Sequence, residues 1–438
     1  MLKSFTFGCG QGATKAMIQC IEDGVLDRKN CKVVNSTKKD IPATYLDSAI
    51  VISDDPDAGC GKVREAARQL MAEYIQDNPN ALINLLGEIS EGEFYPRYDY
   101  VNIMATTEGA SGSGASVVLA QYIKQQLGIP VIITLITGFE SDARGLQNTI
   151  NYFKDLKGGD FVIRTISNKK YIDMTKNTFA AEKLANQDIS KLTNIVEAKG
   201  IIDSDQNIDD TDLYKLITNP GMMFTGQIDI NKKIKNSDQI EKMISDMVDY
   251  TTSLDFTPSA TKIGIFMNVS DDTLMILDTD FVSIKKKLCT ECLPELFIHK
   301  QFDGGNEFIR VIATGINLPM EEVSSMYDKY VASTEALTSS SDSFFDKIDN
   351  MDTANKLDTN QTTKVNKTDD AFFAQFSTPK NSEESSVLTR NRSPRKRRFG
   401  TSAPTSNLET TSTHQNNKFV TSTNRETTYN EESNSDLK

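Results

Sequence analysis

The chain has 438 residues with 48 Lys/Arg against 61 Asp/Glu, a formal net charge of −13. Duplex phosphates would repel such a surface, which excludes general nucleic-acid binding by the folded body. Hydrophobic residues at 38% and charged residues at 25% fit a globular protein, and no apolar run approaches the roughly 20 residues that a membrane helix needs.

Met1-Leu2-Lys3 passes directly into the strand-like Ser4-Phe5-Thr6-Phe7 without an apolar signal core, so the chain is expected to stay in the cytoplasm where it is made. Strand candidates come at 4–7, 31–34, 49–52, 100–105, 131–136 and 161–166. Helical spacing near 3.6 fills 14–21, 63–76, 114–126 and 142–156 between them. This alternation predicts a Rossmann-like α/β domain with a parallel sheet over 1–172. Residues 173–200 read as one long connecting helix ending at Gly200. Strand-like runs at 262–269, 274–277 and 307–314 and a helical run at 240–254 then predict a smaller α+β domain over 201–332.

From 333 to 438 Ser, Thr, Asn and Asp dominate, and the 14 Lys/Arg balance 15 Asp/Glu from 331 on, so nearly all the acidity belongs to the first 330 residues. Such a tail cannot bury enough apolar surface to offset its ordering entropy and reads as disordered. Two islands interrupt it, Ala371-Phe372-Phe373-Ala374-Gln375-Phe376 and the basic run Arg390 to Arg398. The basic run is either a solvated charge run or a docking segment for DNA phosphate or an acidic partner. Six cysteines are too sparse for a disulfide scaffold. The one CxxC, Cys289-Thr290-Glu291-Cys292, lacks enough neighbouring ligands for zinc and reads as buried or idle thiols.

Chemistry concentrates in three places. Gly8-Cys9-Gly10-Gln11-Gly12 lies between a strand and a helix, and Gly109-Ala110-Ser111-Gly112-Ser113-Gly114 does the same later. Turns without Cβ atoms let backbone N–H groups approach phosphate. The acidic run Asn207-Ile208-Asp209-Asp210-Thr211-Asp212 cannot cradle phosphate. Its useful position is opposite a γ-phosphate, polarising a water, which suggests a nucleotide site divided between two subunits. Taken alone, Asp209 and Asp212 also read as helix N-terminal caps, and the first turn also opens a dinucleotide-binding fold. In NAD proteins, however, the second strand ends in an acid on the ribose, whereas Val33-Val34 here runs into Asn35-Ser36-Thr37.

In this order the motifs resemble the tubulin/FtsZ family over residues 1 to about 320. Gly10, Gln11 and Gly12 resemble its first phosphate loop, Asn35 its segment after the second strand, and Gly59, Gly61 and Lys62 its third loop beside the γ-phosphate. Gly109, Ala110, Ser111, Gly112, Ser113 and Gly114 correspond to its glycine signature. Glu140 and Arg144 fall in its sugar loop, and Asn168 and Asn186 where it reads guanine. Asn207, Asp209 and Asp212 resemble the catalytic loop that reaches the next subunit's nucleotide. The Asn35-Ser36-Thr37-Lys38-Lys39-Asp40 and Gly59-Cys60-Gly61-Lys62 segments are most similar to the plasmid and phage TubZ branch.

The resemblance implies a GTPase with GTP/GDP and Mg²⁺ that polymerises with itself head to tail. It also implies DNA segregation or positioning, with a DNA-bound adaptor held by the tail. The alternatives are a phage spindle tubulin of the PhuZ-like branch, a slow or nonhydrolysing filament protein, and an NAD-dependent Rossmann enzyme. Glu108 departs from the signature, where the family carries Gly, and predicts altered nucleotide affinity because a carboxylate beside phosphate needs compensation from Mg²⁺ or Lys62.

Overall fold

The computed structural model describes residues 2–53, 55, 59–197, 208–230, 236–277, 281–290 and 292–348, of which 336–348 by backbone alone. Every residue of β1 (Ser4–Cys9) is buried, as in a parallel strand covered by helices on both faces. After it come α1 (Gln11–Glu22), β2 (Cys31–Asn35), β3 (Ala49–Val51), α2 (Arg64–Asp77), α3 (Pro79–Leu86), the hairpin of β4 (Gly87–Ser90) and β5 (Glu93–Pro96), and β6 (Tyr100–Thr106). Next are α4 (Ser116–Gln125), β7 (Val131–Thr137), α5 (Ala143–Leu156), β8 (Val162–Ser167), α6 (Asn168–Thr175) and α7 (Thr178–Val196). The second half adds α8 (Asp210–Ile217), β9 (Gly221–Ile230), α9 (Ser237–Asp249), β10 (Lys262–Asn268), α10 (Asp271–Leu274), α11 (Val282–Leu288), β11 (Glu295–Gln301), β12 (Glu307–Ile316) and α12 (Met320–Ile348).

Ten strands form one sheet in the order β11-β10-β12-β9-β8-β7-β6-β1-β2-β3. From β3 to β9 all neighbours are parallel, and β12 alone runs antiparallel to both β9 and β10. The chain thus has the expected α/β class. The strands of the second half extend the first sheet, because Gly221 and Met222 of β9 pair with Val162 and Ile163 of β8. One sheet face packs on α2, α4 and α5, joined by Val323 and Met326 of α12; the other packs on α1 and α7. A third cluster lies between β9 to β12 and the helices α9 and α11.

The six strands expected in the first half are all present. The long helix expected over 173–200 is interrupted: Lys176 adopts the left-handed conformation that ends α6, and Asn177 accepts from the Ala180 N–H to start α7. Residues 198–200 lie outside the described residues. The run 274–277 is not a strand; it continues from the single helical turn of α10, capped by Ser270. Conversely, β9, β11 and the β4–β5 hairpin escaped the periodicity: the hairpin strands have four residues each, β11 mixes exposed and buried positions, and the ten-residue β9 alternates only at its end. The helix α12 crosses the compositional boundary at 333 and continues to Ile348.

α7 fixes the long-range geometry. Just past its midpoint, Asp188 accepts from Tyr171 of α6, which lies beyond the carboxyl end of β8. Thr193 accepts from Arg164 in the middle of β8, and Glu197, just past the helix, accepts from Ser4 and Tyr100 at the first residues of β1 and β6. The helix therefore runs antiparallel to the strands and delivers the chain to the opposite edge of the sheet. There Leu213, Leu216 and Ile217 of α8 pack with Tyr100, Ile132 and Val162 at the amino ends of β6, β7 and β8. Leu216 is fully buried, and its truncation leaves a cavity that this small cluster cannot refill. Leu216→Ala is expected to destabilise the protein by about 2–5 kcal/mol, read as a lower urea midpoint with an unchanged slope.

Candidate nucleotide site

The strand sequence reverses direction between β1 and β6: β1 is flanked outward by β2 and β3 on one side and by β6, β7 and β8 on the other. In an open α/β sheet such a switch point opens a crevice beyond the carboxyl ends of the strands, where ligands bind. Both glycine turns lie there. Gly10, at φ +82°, is the N-cap of α1; its N–H donates to Val34 O at 2.9 Å, leaving Gln11, Gly12 and Ala13 as the first-turn donors. A Cβ on Gly10 would stand 3.1 Å from Gly112 N, so the two turns touch. A Cβ on Gly112 would overlap the Thr106 carbonyl oxygen. The second turn winds as a wide helical turn over Ser111–Ala115 directly into α4, with Ser113 Oγ on Gly109 O at 2.6 Å.

Asn35 ends β2 beside these turns and is only 2% exposed. Its Oδ1 accepts from Ser36 N at 2.8 Å and from Ser111 Oγ at 3.2 Å, while its Nδ2 has no protein partner. An orphaned buried donor is costly unless something outside the protein accepts from it. A nucleotide's oxygens suit that need. At the end of β8, Asn168 opens α6 with a buried Oδ1 that likewise has no partner, an acceptor suited to a purine N–H edge. Asn186 lies half-buried on α7, which packs against α1 and α6.

The loop after β7 is clamped. The Glu108 carboxylate accepts from Glu140 N at 2.8 Å, and Gly138 leaves room for it where any side chain would collide. Glu108 is therefore a brace for this loop, which accounts for an acid at a position where the family resemblance expects Gly. Glu140 sits in the left-handed region at φ +57°, and its Oε2 pairs with Lys329 of α12 at 2.6 Å. Asp142 caps α5 by accepting from Gly145 N at 2.8 Å and pairs with Lys62 at 2.6 Å. The Lys62 hydrogen bond, seconded by Gly145 N, holds the Asp142 carboxyl below the usual range. Lys62 is left-handed, as is Gly61; Gly59 passes 3.9 Å from Thr37 when given a Cβ; Arg144 is exposed on the first turn of α5.

Sequence reasoning missed Asn148, Thr106 and Lys329. Asn148 is buried on α5 and donates to both Lys62 O at 3.1 Å and Glu108 O at 2.9 Å, tying two loops to one helix. Its signal was a polar residue on the apolar face beside Leu146 and Ile150. Asp209 and Asp212 are not part of this crevice. Asp209 is the N-cap of α8, accepting from Asp212 N at 2.8 Å, and Asp212 pairs with Lys215 at 3.4 Å. They stand at the amino edge of the sheet, a strand length of about 20 Å from the glycine turns. Asn207 lies outside the described residues. Among the described residues, no cluster of three or more His, Cys, Asp or Glu could hold a metal, and no helix is long and apolar enough to cross a membrane.

No protein-family model matches the sequence, and no curated protein matches it. Solved structures do. The chain is similar to the GTPγS-form protofilament of Bacillus thuringiensis serovar israelensis TubZ, with a TM-score of 0.60 at 17% identity over 78% of this chain and 94% of that one. It is similar to the GTPγS-bound protofilament of Haloferax volcanii CetZ2, with a TM-score of 0.58 at 17% identity over 76% and 100% of the two chains. It also resembles the empty FtsZ dimer of M. jannaschii, with a TM-score of 0.55 at 17% identity over 72% and 88%. This chain has the tubulin/FtsZ fold.

Within that fold, Gly112 and Glu108 give separable predictions. Gly112→Ala forces the second turn off Thr106 and is expected to destabilise the protein by about 1–3 kcal/mol, read as a lowered melting temperature. Burial, opposed by the Glu140 N–H, holds the Glu108 carboxyl above its ordinary range. The folded state therefore binds this proton more tightly than the unfolded state, and stability falls as pH rises from the ordinary carboxylate value through the raised one. Glu108→Gln is expected to flatten that decline in urea midpoints measured across the weakly acidic range, because the amide oxygen still accepts from Glu140 N without a buried charge.

Proposed function

We propose that this protein is a tubulin-like GTPase that assembles head to tail into filaments and hydrolyses GTP between subunits. The observation that carries the reading is that the two halves of the proposed site, the glycine turns and the Asp209–Asp212 run, lie at opposite edges of one sheet, with α7 running between those edges. Neither half reaches the other within one chain. A second copy stacked along the strand direction brings its Asp209 and Asp212 to the first copy's crevice, and a contact of this heterologous kind repeats into an open filament. The protofilament forms in which the similar TubZ and CetZ2 were solved, both with GTPγS, support the same reading.

In this mechanism the backbone donors of Gln11, Gly12 and of 109–114 receive the phosphates, and Asn35 offers its unpartnered Nδ2 to the same ligand. Gly59 and Gly61 close over the phosphates, and Lys62 exchanges Asp142 for a phosphate oxygen. Glu140 and Arg144 take the sugar, and Asn168 and Asn186 take guanine. Mg²⁺ bound with the nucleotide would supply neutralisation of phosphate charge. Asp209 and Asp212 of the next subunit, with Asn207, orient and deprotonate the attacking water. The filament works in the cytoplasm of a bacterial or phage-infected cell, positioning plasmid or phage DNA, through an adaptor on the C-terminal tail or through Arg390 to Arg398 directly.

A slow-turnover filament is the second reading, favoured by one observation: the Asp209 carboxylate already caps α8 and Asp212 already pairs with Lys215. A GTPase assay run against protein concentration with light scattering in the same cuvette separates the readings. Assembly-dependent hydrolysis shows as a rate that appears together with scattering above a critical concentration; scattering without phosphate release favours the slow filament, and a rate linear in protein without scattering defeats the divided site. Asp212→Ala is expected to bind GTP and scatter light as the parent does, while hydrolysing about 10²–10⁴-fold more slowly.

A further inference from the structure

The first turns of α12 carry two separate patterns. Val323 and Met326 are buried in the core with Leu146 and Ile150 of α5, and Tyr330 packs against the same cluster, giving an apolar stripe at steps of three and four. Glu322 and Lys329, seven apart and so on one side of the helix, flank that stripe. Lys329 reaches the loop beyond the carboxyl end of β7. Lys329 pairs with Glu140 at 2.6 Å, and Lys169 on α6, held above its ordinary range first by Asp173, also feels the charges of Glu140 and Glu322. The last helix of the described chain thus reaches the nucleotide crevice at one carboxylate.

Glu140 is itself well placed to need such a partner. Its backbone is held in a left-handed conformation by the Glu108 carboxylate, and its side chain is only 10% exposed. Lys329 binds Oε2, while Oε1 has no protein hydrogen bond among the described residues. A carboxylate anchored through one oxygen presents the other in a fixed direction, and a fixed acceptor loses less entropy on binding a hydroxyl than a free one.

We propose that Lys329 is a positioning residue for the nucleotide, holding Glu140 so that its second oxygen accepts from a ribose hydroxyl. This makes α12, the helix that leads toward the C-terminal segment, part of the nucleotide site. The inference rests on the nucleotide reading above. It predicts that sugar recognition, and not phosphate or base recognition, depends on α12.

Binding of GTP and of 2′,3′-dideoxyGTP to the full-length chain, measured by calorimetry for the parent, Lys329→Ala and Lys329→Arg, tests it. Lys329 is half exposed, so the variants are expected to keep the parent's melting temperature. The parent should prefer GTP, and Lys329→Ala should weaken GTP about 3- to 10-fold while leaving dideoxyGTP unchanged, with Lys329→Arg restoring the preference. Equal weakening of both nucleotides, or of neither, overturns the proposal by reducing Lys329 to a structural contact. A parent that does not distinguish the two nucleotides overturns it at Glu140. Failure of the nucleotide reading has its own signature, a parent that binds neither.

Discussion

The parallel sheet imposes the constraint on which everything else depends. Parallel strands put all their carboxyl ends on one edge, so every turn leaving β1, β2, β6, β7 or β8 opens on the same side. The glycine turns, Asn35, the clamped loop at 138–142 and Asn168 are therefore neighbours although they are spread over more than 130 residues of sequence. The chain must also return, and α7 does so antiparallel to the strands. With 19 residues at 1.5 Å each it covers about 28 Å, enough to cross the sheet from edge to edge. The segment beyond α7 is consequently displaced to the far edge, and that segment carries the acidic run at 209–212.

The crevice is held by charges facing loops more than by charges facing ligand. Glu108, Glu140 and Asp142 could have repelled a nucleotide together. Instead Glu108 takes a backbone N–H, Glu140 takes Lys329 and Asp142 takes Lys62. Glu140 and Asp142 each have a cation from a different element, so the loop between β7 and α5 is fixed from α12 on one side and from the 59–62 loop on the other. The pairs are partly exposed and individually weak. Their value is geometric, since they set which oxygen of each carboxylate remains for something else.

The fold was legible where periodicity and composition agree. The six strands expected in the first half are buried along most of their length, as doubly covered strands are, and the helices between them carry a 3.6 spacing. The break at Lys176 and Asn177 was not legible because a left-handed residue and an Asn cap fit a helical pattern until the backbone is seen. β11 was missed because its exposed and buried residues mix, as expected near a sheet edge. For the site, the glycine turns were legible from composition, whereas the contact of Gly10 with Gly112 follows from the parallel pairing of β1 with β6 and could not be read from either turn. Glu108 was misleading: a carboxylate one residue before a phosphate turn looks like a ligand neighbour, and only the close approach of Gly138 reveals that it turns into another loop. Lys329 could not be read at all, since its meaning depends on where α12 docks, nearly 190 residues from its partner.

Charge sets the remaining balance. The folded body carries almost all of a net −13, so copies of the chain repel one another at distances beyond contact, within a Debye length of about 8 Å at physiological ionic strength. In the proposed filament the acidic start of α8 also faces a nucleotide's phosphates, which is unfavourable before any cation is counted. Contact must then be favoured by short-range terms across the interface and by neutralisation of phosphate charge in the crevice, while Leu213, Leu216 and Ile217, buried within one subunit, only keep the start of α8 in place. In such an arrangement the removal of one phosphate also removes part of that repulsion, so the electrostatic balance of the contact depends on the state of the nucleotide.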